Sequence, residues 1–539
     1  MLMKKFKLLL ACLLMAVSTA LFAQNRQISG TVTDQNGEPV AGAYVLVKDT
    51  NVGATTDFNG AFRLSGVPAS SSTLVISFMG MKTVEVPVAA QVSVVLESES
   101  EYLQETVVTA LGITKSQKAI GYAATTVRNE DITASRNNDA VSALAGKVAG
   151  MQVSNSSTTA GAAQSVIIRG VSSIGRSNQP LYVIDGIPLQ SVTVYNTQSG
   201  YGNLGAGIGS INSDDIETMT VLKGAAATAL YGSRASGGVI VINTKSGKGK
   251  NRTQVTVNAG VQFSSVSTLP EFQDKWGTGW NGELTLDENG SWGPILNGQI
   301  REYGPIVNNS QMIKSFIAIP NNIRNFYETG VQYNTSVALQ GGNETTGYYV
   351  SYSNVTDDGI LPYDKDTYKK NTLSFRGNHQ AYKWLSLESS INLTTQATDQ
   401  VGQGSQNTSI IEGLYQSGRD ISFIDAKDLT NVFNTPAGWY TPYGITNPYW
   451  LIENAYNHTD MKKVFGKVQA NITPIQQLTL SYRYGFDYTD FDRKLTEAQI
   501  ALPSTNPNAS STNMEGTVVA SYGRYYETNH DFLANWSVQ

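Results

Sequence analysis

Beyond Asn251 the chain alternates apolar and polar residues with a period of two. Val255, Val257, Ala259, Val261 and Phe263 interleave with Gln254, Thr256, Asn258, Gly260 and Gln262. Leu385, Leu387, Ile391 and Leu393 stand against Ser386, Glu388, Asn392 and Thr394. Leu478, Leu480, Tyr482, Tyr484, Phe486 and Tyr488 stand against Thr479, Ser481, Arg483, Gly485 and Asp487. Successive side chains of a strand point to opposite faces, so each run predicts a strand with one face in an apolar medium and the other wet. About eight such runs occur, divided by polar loops of very unequal length, the stretch 402–461 among them. In a soluble sandwich the apolar row would be core, and in an outer-membrane barrel it would face lipid. Periodicity alone leaves both open.

Residues 28–97 follow a shorter rhythm, in which β-rich runs alternate with turn clusters such as Asp34-Gln35-Asn36-Gly37 and Asp57-Phe58-Asn59-Gly60. This predicts a small antiparallel sandwich. Through Gly30, Val32, Asp34, Gly37, Pro39, Val40, Gly42 and Ala43 it resembles the carboxypeptidase regulatory-like, transthyretin-like domain. It holds no histidine and no metal-ligand spacing, which argues against a peptidase role. The segment 97–119 is first acidic and polar, then carries the short β-prone run Thr106-Val107-Val108-Thr109. It reads as a linker with a strand-forming peptide, or as the last strand of the sandwich.

From about Ile120 to Lys250 strands and helices mix. Asn138 to Val148 predicts a short helix and Val166 to Arg169 a strand, while Leu181 to Leu189 predicts a hairpin turning at Asp185-Gly186. Thr218 to Leu222 predicts a strand, Ala225 to Leu230 a short helix ended by Gly232, and Val239 to Ile242 a strand apolar on both faces and therefore buried. The stretch Val221 to Lys245 is small and apolar, yet spaces Lys223, Arg234 and Lys245 through it.

Composition narrows the class. Charged residues are 15% of the 539, with 50 Gly and 27 Tyr, a balance that suits long polar-uncharged strands better than salt-bridged helices. The opening MLMKKFKLLLACLLMAVSTALFAQ has a basic start, a short apolar run and small residues ahead of a cut after Ala23, the signature of an export signal. Its removal takes Lys4, Lys5 and Lys7 and no acid, moving the net charge from −5 to −8. No basic stripe suggests nucleic acid. Cys12, the only cysteine, lies inside the signal, so disulfide and thiolate chemistry are not expected. No later segment is apolar enough for a transmembrane helix, so a membrane role requires a barrel.

Candidate chemistry is sparse. Gly170 to Ser177 falls one residue short of a phosphate-binding loop, with Arg176 where Lys belongs, but Asn178-Gln179-Pro180 starts no helix behind it. His379, His458 and His530 are far apart, which supports neither a zinc site nor a catalytic triad. Asp357-Asp358 and Asp364-Lys365-Asp366 lack the regular oxygen spacing of a calcium loop and read as solvated turns. Trp276, Trp280, Trp292 and the run Trp439 to Tyr443 suit stacking on sugar rings or covering peptide, and suit loop packing or an interface girdle equally. No catalytic constellation, cofactor or metal site is expected.

The order of these segments, with IRGVSS (Ile168 to Ser173), PLYVIDGIPL (Pro180 to Leu189) and the run Ile211 to Lys245, resembles the SusC/RagA family of TonB-linked outer membrane proteins. The resemblance implies a mainly β protein: signal peptide 1–23, β-sandwich 24–98, linker 99–118, mixed α/β plug domain 119–250, and the N-terminal part of a transmembrane antiparallel β-barrel over 251–539. It implies an energised importer of a glycan or oligopeptide in the outer membrane. The implied partners are TonB in the periplasm, a SusD-like surface lipoprotein as lid, and membrane lipid, with no nucleic acid.

The segment matching the family's TonB-contact peptide is Glu105, Thr106, Val107, Val108, Thr109 and Ala110, which would pair with TonB by strand addition. The plug motif falls on Arg169, Gly170, Asp185, Gly186, Lys223, Gly224, Tyr231, Gly232, Arg234, Gly237 and Gly238. Its small residues would let plug backbones approach closely, and Lys223, Arg234 and Lys245 would reach a wet, polar barrel wall. Members of the family are usually much longer, and about eight strands do not close around a plug, so the sequence reads as the N-terminal portion of a transporter. A TonB-linked signalling receptor and a surface adhesin are the alternatives. The sandwich-like first domain argues against signalling, and an adhesin would need neither residues 105–110 nor the plug motif.

Overall fold

The computed structural model describes residues 26–537 except 35–36, 69–70, 79–80, 98–105, 109–113, 117–123, 135–139, 156–160, 163, 172, 175–177, 190–192, 195–203, 206–207, 225–228, 230, 248–251, 286–287, 403–408, 441–444 and 505–512. The expected export signal lies outside the described residues, as do Glu105, Thr109 and Ala110. The chain forms two compact units, Met1–Thr106 and Val107–Gln539.

The first unit is the sandwich. One sheet orders β4 (Ala61–Val67), β1 (Arg26–Asp34) and β7 (Gln91–Leu96); the other orders β3 (Gly53–Thr55), β2 (Tyr44–Val47), β5 (Thr73–Ser77) and β6 (Val84–Pro87). Alternate residues of these strands supply the core, with Ile28, Val32, Val45, Val47, Leu64, Leu74, Ile76 and Leu96 all buried. The sheets are not wholly antiparallel, since β1 runs parallel to β7. At Gly30 the two pack so closely that a Cβ would stand 2.1 Å from the Val92 carbonyl oxygen.

At the boundary lies β8 (Thr106–Val108), paired with β9 (Thr114–Ser116). The plug follows. Its sheet orders β10 (Ala124–Arg128), β17 (Ile216–Leu222), β18 (Val239–Thr244), β13 (Leu181–Ile184) and β14 (Ile187–Leu189), flanked by the hairpin β11 (Met151–Asn155) and β12 (Gln164–Ile168) and the short pair β15 (Thr193–Val194) and β16 (Leu204–Gly205). The run apolar on both faces is indeed central, with Val239, Ile240, Val241 and Ile242 buried. The expected hairpin forms at Asp185 (φ 49°) and Gly186 (φ 87°), both left-handed as a two-residue turn of this hand requires.

Where a helix was expected over Asn138–Val148, the described part holds a single 3-10 turn, Ser142–Leu144. Gly146 at φ 75° interrupts it, while Val141, Leu144 and Val148 still reach the core. The plug's α1 is instead Asn129–Thr133. Most of the expected helix Ala225–Leu230 lies outside the described residues.

The barrel portion is one antiparallel meander in the order β19 (Gln254–Ser264), β22 (Gly330–Gly342), β23 (Thr346–Asp357), β24 (Tyr368–Tyr382), β25 (Leu385–Asp399), β26 (Ala455–Ile475), β27 (Leu478–Glu497) and β28 (Thr517–Trp536). The hairpin β20 (Ile300–Val307) and β21 (Ser310–Ser315) is an excursion between β19 and β22. The burial pattern resolves the ambiguity of the two-residue rhythm. The apolar row is exposed, Val257 at 64% and Phe263 at 71%, whereas the polar row is buried, Ser374 at 0% and Arg483 at 1%. A soluble sandwich would do the reverse. These side chains face hydrocarbon outside and the plug within.

Short turns at 343–345, 383–384 and 476–477 lie on one end, and the long loops 265–329, 358–367, 400–454 and 498–516 on the other, which assigns the first end to the periplasm. The loop expected over 402–461 is shorter than its sequence suggests, because β26 already begins at Ala455. Its polar start, Tyr456, His458 and Asp460, lies beyond the nine to eleven or so residues that cross a bilayer, so strand there needs no apolar row. The long loops share a core of their own, built from α2 (Ile410–Gln416), α3 (Phe423–Ala426), α4 (Pro448–Asn454) and buried Phe326, Trp439 and Tyr440.

The acidic turn after β23 is not simply solvated. Asp366 is 7% exposed and accepts hydrogen bonds from the amides of Ile360 (3.0 Å) and Leu361 (3.3 Å).

Gly30→Ala should destabilise the sandwich by about 1–3 kcal/mol by forcing β1 from β7, read as a lowered calorimetric transition of the first unit. Burial pushes the Asp366 carboxyl up to about 7, against the two amides that favour its charged form. The folded loop thus holds a proton the unfolded chain has lost, so stability falls as pH rises from about 4 to 7 and levels off above. Exchange protection of the Ile360 and Leu361 amides, corrected for intrinsic rates, should be greater at acid than at alkaline pH, and Asp366→Asn should flatten the difference.

Candidate functional site

The site is the seam where plug meets barrel wall. A 3-10 turn, Ser213–Asp215, leads into β17, and the Asn212 side chain caps it by accepting from the Asp214 amide at 3.2 Å. The turn thereby presents two adjacent carboxylates to the wall. Asp215, 1% exposed, accepts from Tyr349 OH at 2.7 Å, Ser351 Oγ at 2.8 Å and Ser374 Oγ at 2.7 Å. All three donors belong to the inward row of β23 and β24. Ser374 Oγ also lies 2.8 Å from Asn392 Oδ1, which accepts from Arg376 Nη2 at 3.1 Å. The Arg376 guanidinium sits over the Tyr349 ring, 5.1 Å from its centroid. A carboxylate this deep is tolerable because hydrogen bonds replace its lost water.

A second anchor is the Asp185-Gly186 turn. Thr244 donates to the Asp185 carboxylate from its amide at 3.0 Å and its hydroxyl at 2.7 Å, tying β13 to β18. Arg376 Nε stands 3.9 Å from Asp185 Oδ2, so one barrel arginine touches Asp185 directly and reaches the Asp215 anchor through Tyr349 and Asn392. At Gly186 a Cβ would fall 1.8 Å from Arg483 Nη1. That position therefore needs glycine twice, for its φ and for the guanidinium beside it. Arg483 is held by Asp531, with Nε donating at 3.0 Å.

The remaining motif residues divide between plug interior and seam. Arg234 reaches the wall as expected, its Nη1 2.7 Å from Glu527 Oε1. Lys223 does not reach it. Its Nζ donates to the Ala149 carbonyl at 2.8 Å within the plug, because Lys223 directly follows a strand whose last four residues, Met219 to Leu222, are all buried. Burial and then the neighbouring Arg169 push the Lys223 ammonium below the ordinary lysine range. Lys245 lines a cavity between plug and wall; burial lowers its pKa, and Asp214, Asp215 and Glu217 pull the other way.

Arg169 (φ 61°) and Gly170 (φ 91°) form the turn after β12, and Gly224 lies beside Arg169, where a Cβ would stand 3.2 Å from Nη1. Gly237 and Gly238 admit close backbones, since a Cβ on Gly237 would meet the Asn178 and Gln179 carbonyls at 2.7 Å. Tyr231 packs on the cluster around Val183 and Val239, and Gly232 begins a 3-10 turn that holds Arg234. Of the expected TonB-contact peptide, Thr106, Val107 and Val108 are extended as β8.

Sequence reasoning missed Asp214, Asp215 and the wall residues Tyr349, Ser351, Ser374 and Arg376. The signal available was the adjacent acid pair immediately ahead of a buried strand, a position where charge needs dedicated partners.

Asp215→Ala should loosen the plug in its barrel, since each hydrogen bond to a charged group contributes on the order of 1.5–3 kcal/mol net. Limited proteolysis of the folded protein should cut the plug at lower protease concentration, while Asp215→Asn, which keeps an acceptor, should lie between variant and parent.

Comparison with known proteins agrees with this architecture. The TonB-dependent receptor plug domain matches residues 116–239, and the CarboxypepD_reg-like domain matches residues 28–108. The TonB-dependent receptor SusC of Bacteroides thetaiotaomicron is 35% identical over 364 residues, covering 67% of this chain and 33% of SusC. A TonB-dependent receptor of Formosa agariphila is 30% identical over 382 residues, covering 70% and 33% respectively. The chain thus spans about a third of the length of the curated relatives it matches. Among solved structures, the RagAB peptide importer in its open-open state superposes with a TM-score of 0.58 at 21% identity, over 80% of this chain and 46% of that one, which speaks to the fold. With plug, sandwich and inside-out barrel strands all present in one sequence, the chain belongs to the SusC/RagA family of TonB-dependent receptors, β-barrel proteins of the outer membrane.

Proposed function

We propose that this chain is the plug-bearing part of an importer that takes a glycan or oligopeptide across the outer membrane, driven by TonB from the periplasm. The observation that carries this reading is the nature of the seam. The plug keeps its own apolar core, with Val166, Ile184, Ile216, Met219 and Ile240 buried, yet meets the wall largely through carboxylates, hydroxyls, amides and guanidiniums. Such contacts hold in place but exchange readily for water, because a typical hydrogen bond is worth only about 0.5–1.5 kcal/mol net. A plug built this way suits repeated displacement.

The pull would enter through Glu105 to Ala110. Its central residues are already extended and paired in only a two-stranded ribbon with β9, which leaves an edge for a partner strand to join. An oligopeptide cargo gains support from the named activity of the RagAB importer, and a glycan from the family resemblance. A SusD-like lipoprotein is the proposed lid, docking over the loop core around Trp439 and Tyr440. The sandwich at residues 24–98, the linker at 99–118 and the plug at 119–250 are the proposed working parts.

Val107→Pro removes a backbone donor from the middle of β8 and restrains its φ. In the full-length protein this variant should reach the outer membrane at the parental level yet lose uptake of labelled oligosaccharide and oligopeptide pools. Parental uptake would show that residues 105–110 do not carry the energy.

A further inference from the structure

Plug and wall are not in contact everywhere. A cavity of about 360 Å³ separates the plug from β19, β22 and β23. On the plug side it is bounded by Asp214, Asp215, Glu217 and Lys245, and on the wall side by Gln254, Thr256, Ser336, Ala338, Gln340 and Ser351. A smaller cavity of about 50 Å³ continues it along the same wall, reaching Asn334, Ser353 and Lys370. The larger one lies beside the periplasmic ends of the strands, since Gln254 opens β19 and Gln340 nearly closes β22. The smaller one lies further toward the long loops.

Four residues border both cavities: Asn212, Asp214, Asn258 and Ser336. They form the neck between them. The neck is closed by one side chain, for Asp214 Oδ2 accepts from Asn258 Nδ2 at 3.1 Å and from Ser336 Oγ at 2.6 Å. Asn258 Nδ2 and Ser336 Oγ are also 3.2 Å apart, so β19 and β22 offer the carboxylate a matched pair of donors. Both cavities are lined mainly by polar side chains, and Asn212 Nδ2 and Asn334 Oδ1 on their border have no hydrogen-bond partner among the described residues.

We propose that Asp214 is the latch of a hydrated passage between the plug and the β19–β22–β23 wall. Asp215 remains the anchor beside it. Resting on the import reading above, this assigns the moving cargo a route along amides and hydroxyls, without passage through the plug's apolar core. Asp214, Asp215 and Glu217 outnumber Lys245 and Lys370 along it, so the route favours neutral or cationic polar solutes over anions. Neighbouring carboxylates thus divide the work: one holds the plug to β23 and β24, and the other closes the gap beside it.

The test uses the full-length protein in planar lipid bilayers without TonB, so its readout does not depend on energised import. Asp214→Ala should raise ion conductance by about tenfold or more, the scale set by losing two charge-assisted hydrogen bonds, with cations favoured over anions. The wall variant Asn258→Ala/Ser336→Ala should do the same while leaving the plug sequence intact, which keeps the test available if Asp214→Ala fails to fold. Lys467→Ala breaks an ion pair with Glu388 between two wall strands away from the neck and should leave conductance near the parental value. Parental conductance in the folded latch and wall variants, or an equal rise in Lys467→Ala, overturns the latch. Loss of uptake by Val107→Pro without a leak from Asp214→Ala would sink the latch and leave import standing; a leak together with normal uptake by Val107→Pro would do the opposite.

Discussion

A strand crossing a membrane beside a plug has no hydrophobic inside. Its apolar row must face lipid, so its polar row faces the lumen and has to find partners there. Nearly everything in the second unit answers to that constraint. Ser351, Ser374, Arg376, Asn392 and Arg483 are buried, and buried polar groups without partners are costly. The plug supplies those partners from a few turns that face the wall, chiefly Asp185 and the pair Asp214-Asp215, while its sheet keeps its own apolar residues together. Greasy contact is the exception at the seam: Phe465 joins the plug core and Leu204 meets Met461.

This division separates the strength of the plug from the strength of its attachment. Burying Val239 to Ile242 on both faces makes β18 a permanent part of the plug, with side chains of this kind worth about 1.5–3 kcal/mol each on full burial. The seam is different in kind, because each bond broken there can be replaced by one to water. Arg376 joins the anchors, touching Asp185, Asn392 and the ring of Tyr349, so this one arginine ties the acidic turns of the plug to β23, β24 and β25. The wall of β19 and β22 meets a cavity, with Asp214 bridging its neck.

The loop end follows soluble-protein rules. Its core of Phe326, Phe423, Trp439 and Tyr449 is apolar inside, and Asp420 is fixed there by Lys314 and by Thr278, whose hydroxyl donates at 3.0 Å. Burial pushes the Lys314 ammonium below the lysine range while Asp420 pulls it back up. A buried pair of this sort contributes definition of loop geometry more than stability. Trp280 and Trp292 stay exposed outside that core. The described parts of the long loops therefore pack on one another at the end of the strands opposite the short turns.

The sequence by itself determined the strands and the main turns. Alternation in Val255 to Phe263 and in Leu478 to Tyr488 specifies β19 and β27, Asp185-Gly186 specifies a tight turn, and the run Val239 to Ile242 specifies a buried strand, because each is a local consequence of side-chain period or of allowed φ. It did not determine whether the apolar face of each strand meets lipid or a protein core, since the two are equally apolar to a periodicity count. Only the tertiary structure decided that, by burying Ser374 and exposing Phe263. It also decided the partners of the charges. Lys223 turned inward to Ala149 while Arg234 met Glu527, and Asp215 gathered hydroxyls from residues 134 to 159 positions away in sequence. Such pairings depend on where a distant strand passes, and no local pattern records that distance.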